Sequence, residues 1–156
     1  MNYLLLGGAQ NIGKTQAITG QANRLINSGF QIIAGSFPGP WPDFKVVLEG
    51  PNKNGNQIKL LLNSATDDRG KIKELKDFID QLGFNVDAII SSVRDRDDPR
   101  TFFFSHLGIS PPKDFFLEIP MAKITRRNNL PSALTWYHQN LENIIIHILG
   151  SQPFNL

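Results

Sequence analysis

The stretch Gly8-Ala9-Gln10-Asn11-Ile12-Gly13-Lys14-Thr15, set between an apolar run and a helical periodicity, constrains the fold more than any other part of the chain. Before it, Asn2-Tyr3-Leu4-Leu5-Leu6 ends at Gly7-Gly8 without polar alternation, which predicts a strand buried on both faces. After it, Ala17, Ile18, Ala22, Leu25 and Ile26 recur at helical spacing from Lys14 onward, with Gly29 as the stop.

Strand and helix signals keep alternating downstream. Residues 31–34 predict a short strand, and residues 35–42 hold three prolines and predict a loop long enough to reach a ligand. Residues 44–48 and 57–62 flank Pro51-Asn52-Lys53-Asn54-Gly55-Asn56, whose Asn-Gly step signals a hairpin. Ile72, Leu75, Phe78, Ile79 and Leu82 mark one face of a helix ended by Gly83. Residues 86–93 predict a strand running into the charged loop Arg94-Asp95-Arg96-Asp97-Asp98-Pro99-Arg100. Residues 115–121 predict another strand, interrupted late by Pro120, and a last helix runs from Pro131-Ser132 to Gly150. This order predicts a three-layer α/β fold: a mainly parallel sheet with one antiparallel strand from the hairpin, and helices on both faces. A length of 156 residues predicts a single domain, 1–156.

Bulk properties narrow the function classes. The balance of 16 basic against 14 acidic side chains leaves +2, too little to imply a nucleic-acid partner without a clustered patch. With no cysteine, disulfides, thiolate metal sites and a cysteine nucleophile are excluded, and a cytoplasmic location is expected. Tyr3-Leu4-Leu5-Leu6 is too short for the core of an export signal, and residues 144–149 fall far short of the ~20 residues that span a bilayer. No membrane partner is expected.

The eight residues Gly8, Ala9, Gln10, Asn11, Ile12, Gly13, Lys14 and Thr15 match the phosphate-loop pattern, in which Gly and four residues precede Gly-Lys-Thr. The two glycines let the backbone wrap a phosphate with its amides inward, and the following helix presents its positive end. Lys14 is expected to reach the β- and γ-phosphates, and the Thr15 hydroxyl to coordinate the Mg²⁺ that bridges them. The expected ligand is ATP or GTP with Mg²⁺. The plainer alternative is a glycine-rich turn that binds nothing.

On this motif the chain is identified as a member of the P-loop NTPase superfamily. The order of strand, loop, helix, long loop and hairpin over residues 2–95 resembles the Ras-like small GTPases. That family ends the second hairpin strand in Asp-x-Ala-Gly followed by Gln, where this chain has Leu61-Leu62-Asn63-Ser64-Ala65-Thr66-Asp67 and keeps only the alanine. The resemblance puts Asn63 where an aspartate holds magnesium's water, with Asp67 or Asp68 to compensate, and Asp67 where a glutamine orients the attacking water. It thus implies Thr15, Asn63, Asp67 and Asp68 as the metal set and Lys14 and Asp67 as catalytic residues. Asp67-Asp68 serves equally well as the N-cap of the next helix. The family's guanine-reading Asn-Lys-x-Asp is missing; Met121-Ala122-Lys123-Ile124-Thr125 keeps only the lysine, so the base stays open.

Three activities fit these residues. One is hydrolysis of the γ-phosphate. Another is phosphoryl transfer to a small acceptor by a kinase whose Arg94, Arg96 and Arg100 clamp the moving group. The last is nucleotide binding without turnover, with Asn63 and Asp67 in place of the expected catalytic groups; the partner beyond the nucleotide is then a small-molecule acceptor or a protein. The arginine loop also reads as self-neutralising, since Asp95, Asp97 and Asp98 alternate with the arginines. Glu49 belongs beside the hairpin turn, Ser36 is a turn-forming serine, and Phe102-Phe103-Phe104, Phe115-Phe116 and Trp136-Tyr137 are expected in the core. His106, His138 and His147 show no metal-ligand spacing.

Overall fold

The computed structural model describes residues 1–37, 43–95, 97–122 and 130–156. Residues 38–42 of the Pro-rich loop, Arg96, and residues 123–129 with Lys123, Ile124 and Thr125 lie outside the described residues. In chain order the elements are β1 (Asn2–Gly7), α1 (Lys14–Asn27), β2 (Gln31–Ser36), β3 (Lys45–Pro51), β4 (Gln57–Asn63), α2 (Arg69–Gln81), β5 (Ala88–Val93), α3 (Asp97–Leu107), β6 (Phe115–Pro120) and α4 (Leu130–Leu149).

The strands form one mixed six-stranded sheet in the order β2-β3-β4-β5-β1-β6. β1 pairs in parallel with both β5 and β6, and β4 pairs in parallel with β5. β3 runs antiparallel to β2 and to β4. Its turn forms because Asn52 Oδ1 accepts from the amides of Asn54 and Asn56, at 2.9 and 3.0 Å, while Gly55 takes φ 80°. β5 therefore stands between the hairpin and β1. The end of β4 reaches the glycine loop only past the end of β5.

Alternation along each strand explains the layers. Leu4, Leu6, Leu60, Leu62 and Ile90 face one side and pack on Ile18, Ala22 and Leu25 of α1 and Leu141, Ile145 and Leu149 of α4. Tyr3, Leu5, Leu61, Ile89 and Val93 face the other side and pack on Ile72 and Leu75 of α2 and Phe103 of α3. The Tyr3 hydroxyl is pushed up to about 12 by this burial, with the Asp114 charge adding to it. No helix among the described residues is long and apolar enough to cross a membrane.

Two elements depart from the sequence reading. The strand after α1 runs on through Gly35 and Ser36, which pair with Val46 and Lys45 rather than opening the loop. The charged segment after β5 is helical from Asp97, so α3 replaces most of the expected loop. Pro99 fits within that first turn, where no amide partner is lost. The apolar run hid the period: Phe103 alone of Phe102-Phe103-Phe104 is fully buried, and its neighbours lie at the edges of the same cluster.

α2 starts earlier than its apolar face suggests because Asp68, in extended conformation, caps it with a carboxylate that accepts from Lys71 N at 2.9 Å. An Asp68→Ala variant should lose about 1 kcal/mol, the usual worth of such a cap, in urea unfolding. An unchanged midpoint and slope would remove the capping role.

Candidate phosphate-loop site

β1 ends at Gly7, and the chain leaves the sheet between its two parallel neighbours. The Gly8 amide donates to Val93 O at 3.1 Å and Met121 N donates to Gly7 O at 2.7 Å, so the loop base is fixed from both sides. Gly8 has φ 151°, and a Cβ there would lie 2.3 Å from Ile12 Cδ1. Gly13 has φ 93° in the left-handed region, and a Cβ there would lie 2.8 Å from His138 Cε1 on α4. Both positions need glycine for the path of the loop and for space.

Gly13 is the N-cap of α1, with no side-chain cap bond and no acidic residue in the first turn. The opening amides of α1 thus have no capping side chain, and the positive end of the helix dipole lies behind them. Lys14 is 7% exposed, and its ammonium donates to Gly8 O at 2.7 Å and to Ala9 O. Burial lowers the Lys14 pKa, the Asp67 charge opposes that shift, and Arg94 adds to it. An ammonium has three donors. With two of them closing the loop, one remains for an anion.

A cleft of about 290 Å³ opens at this point, lined on the loop side by Gln10, Asn11, Gly13, Lys14, Thr15 and Gln16. Asp43, Ser64 and Asp67 line the other side. Gly8 and Ala9 contribute the carbonyls that hold Lys14, while Ile12 packs against the core. Asp43 and Ser64 went unassigned in the sequence. Nothing at the level of spacing marks Asp43, and Ser64 carried a signal only as a small polar residue at a strand end.

The strand ends facing the loop are tied by short polar side chains. The Thr15 hydroxyl lies 3.5 Å from Ser64 O, and the same carbonyl accepts from Ser92 Oγ at 2.9 Å. Thr66 Oγ1 donates to Ser92 O at 2.9 Å. Asn63 is fully buried, and its Nδ2 donates to Ala65 O at 3.1 Å and Ser91 Oγ at 3.0 Å. Its Oδ1 has no partner among the described residues. Of the four residues in the implied metal set, Thr15 and Asp67 share the cleft, Asn63 lies behind it, and Asp68 is committed to the α2 cap.

Of the three arginines of the charged segment, Arg96 lies outside the described residues, and Arg94 and Arg100 are held by different partners. Arg94 is 8% exposed, with Nη1 3.5 Å from Asp67 Oδ1. Arg100 is held by both carboxylate oxygens of Glu118 and lies over the Phe104 ring. Asp98 binds Arg69 of α2. Glu49 pairs with Lys59 in the hairpin at 3.6 Å. Ser36 stands on β2 and does not line the cleft.

Among the described residues no group of three or more carboxylate or histidine side chains converges to hold a metal. One hydroxyl and one carboxylate across a cleft nevertheless fit magnesium, which favours one or two protein ligands with phosphate oxygens and waters completing six positions. Thr15 and Asp67 would hold such an ion. Comparison with protein-family models, with curated proteins and with solved structures found no match.

The loop geometry makes Gly13 the sensitive position. Gly13→Ala should cost about 1–3 kcal/mol in thermal or urea unfolding through its left-handed backbone alone. Adding His138→Ala should return only the part due to the clash. Full recovery in the double variant would mean that the backbone conformation costs nothing.

Proposed function

We propose that this chain is a P-loop protein that binds a nucleoside triphosphate with Mg²⁺ and hydrolyses its γ-phosphate. The observation that carries the reading is the uncapped, acid-free start of α1 under a glycine loop, with the Lys14 ammonium, Thr15 hydroxyl and Asp67 carboxylate around one cleft. The opening amides of α1 and the free donor of Lys14 bind the β- and γ-phosphates. Thr15 and Asp67 would hold magnesium, which would supply neutralisation of phosphate charge. Asp67 orients a water that attacks the γ-phosphorus as the bond to the bridging oxygen breaks, releasing orthophosphate and the diphosphate. The water's proton passes to the departing phosphate or to Asp67. The base is ATP or GTP, with no guanine-reading motif to prefer the latter.

One observation favours a second reading, binding without turnover. β4 ends in a neutral, fully buried Asn63 whose amide is spent on Ser91 and Ala65, so no carboxylate stands at that strand end. Titration calorimetry with ATP and GTP, with and without Mg²⁺, tests binding, and a phosphate-release assay separates the two readings. Lys14→Ala should fold and lose about 100-fold in affinity, the upper end of what one charge-assisted contact contributes. Unchanged affinity in that variant, or no binding of either nucleotide by the native chain, would overturn the proposal.

A further inference from the structure

Arg94 is a buried guanidinium with unspent donors beside Asp67, which lines the cleft. It follows Val93, whose carbonyl accepts from the Gly8 amide at 3.1 Å, so its backbone is fixed beside the first glycine of the loop. Its nearest anion is Asp67, 3.5 Å from Nη1, an ion pair without an aligned hydrogen bond. Nε and Nη1 are both buried and have no hydrogen-bond partner among the described residues. Asp67 itself is 47% exposed at the side chain and reaches the cleft on its other side. Asp95, the adjacent carboxylate, is exposed. A buried guanidinium whose nearest anion makes no hydrogen bond with it is a costly state, and its unpaired donors point to a further acceptor.

We propose that Arg94 is the residue by which the site selects a nucleoside triphosphate over a diphosphate, exchanging Asp67 for γ-phosphate oxygens when Asp67 turns to the ligand's magnesium. This rests on the nucleotide reading above and deepens it. A magnesium diphosphate draws away the Asp67 carboxylate and returns nothing to Arg94. A triphosphate supplies a doubly charged group whose oxygens suit the planar fork of the guanidinium. The selection therefore comes from the cost of an unpaired arginine as much as from a new contact. Arg100, tied to Glu118, is not placed to take this part.

The test is calorimetric titration of the native chain, Arg94→Ala and Arg94→Lys with tri- and diphosphate in Mg²⁺, with thermal melts of each. The native chain should prefer triphosphate. Arg94→Ala should lose about tenfold or more of triphosphate affinity, as for one charge-assisted hydrogen bond, with diphosphate affinity unchanged or improved. Arg94→Lys should recover part of the preference, since an ammonium keeps the charge and lacks the fork. If the alanine variant does not fold, Arg94→Gln, which keeps the length without the charge, carries the same comparison. Equal losses for both nucleotides, or no change in either, would overturn the proposal and leave Arg94 as a clamp on the Asp67 loop. A native chain that binds both nucleotides equally would also overturn it while preserving the nucleotide reading; one that binds neither would remove that reading itself.

Discussion

Two-sided burial of β1 is the constraint on which the rest of the structure depends. Leu4, Leu5 and Leu6 are fully buried, with alternate side chains feeding the α1–α4 layer and the α2–α3 layer. A strand like this has to lie inside a sheet, and its parallel neighbours β5 and β6 satisfy both of its backbone edges. The chain then leaves at Gly7 in the interior of the sheet, where a Cβ would lie 2.0 Å from Glu118 Oε1. The missing side chain at Gly7 leaves room for the Glu118–Arg100 pair that fastens α3 to β6. The same exit delivers the glycine loop between the ends of β5 and β6, facing the end of β4 across β5.

Local chemistry was legible in the sequence; tertiary assignment was less so. The glycine loop could be read because backbone conformation, helix start and lysine position are all set within eight consecutive residues. The α2 face could be read because its apolar residues keep a single period. α3 could not, because its three phenylalanines are consecutive and only Phe103 points fully inward. Asp67 and Asp68 are chemically identical neighbours, and only the extended backbone at Asp68 turns one to the helix and the other to the cleft. Likewise, three arginines in seven residues looked alike until Arg94 stayed at a strand end and Arg100 moved a helical turn away to Glu118.

Charges of both signs meet at close range around the loop. Lys14 and Arg94 are both more than nine-tenths buried, and the charges of Arg94 and of the exposed Asp67 act on Lys14 in opposite directions. Desolvation works against the Lys14 charge, while carbonyls of the loop and the nearby carboxylate sustain it. Two buried cations beside one carboxylate leave the neighbourhood of the loop with an excess of positive charge.

The Ser64 carbonyl gives this arrangement a further property. It accepts from Ser92 at 2.9 Å and only loosely from Thr15 at 3.5 Å. A Thr15 hydroxyl that turns toward a ligand therefore strands no buried acceptor behind it. The Ser64 carbonyl thus stays satisfied through Ser92 whichever way the Thr15 hydroxyl points, so rotation of that hydroxyl disturbs no strand end.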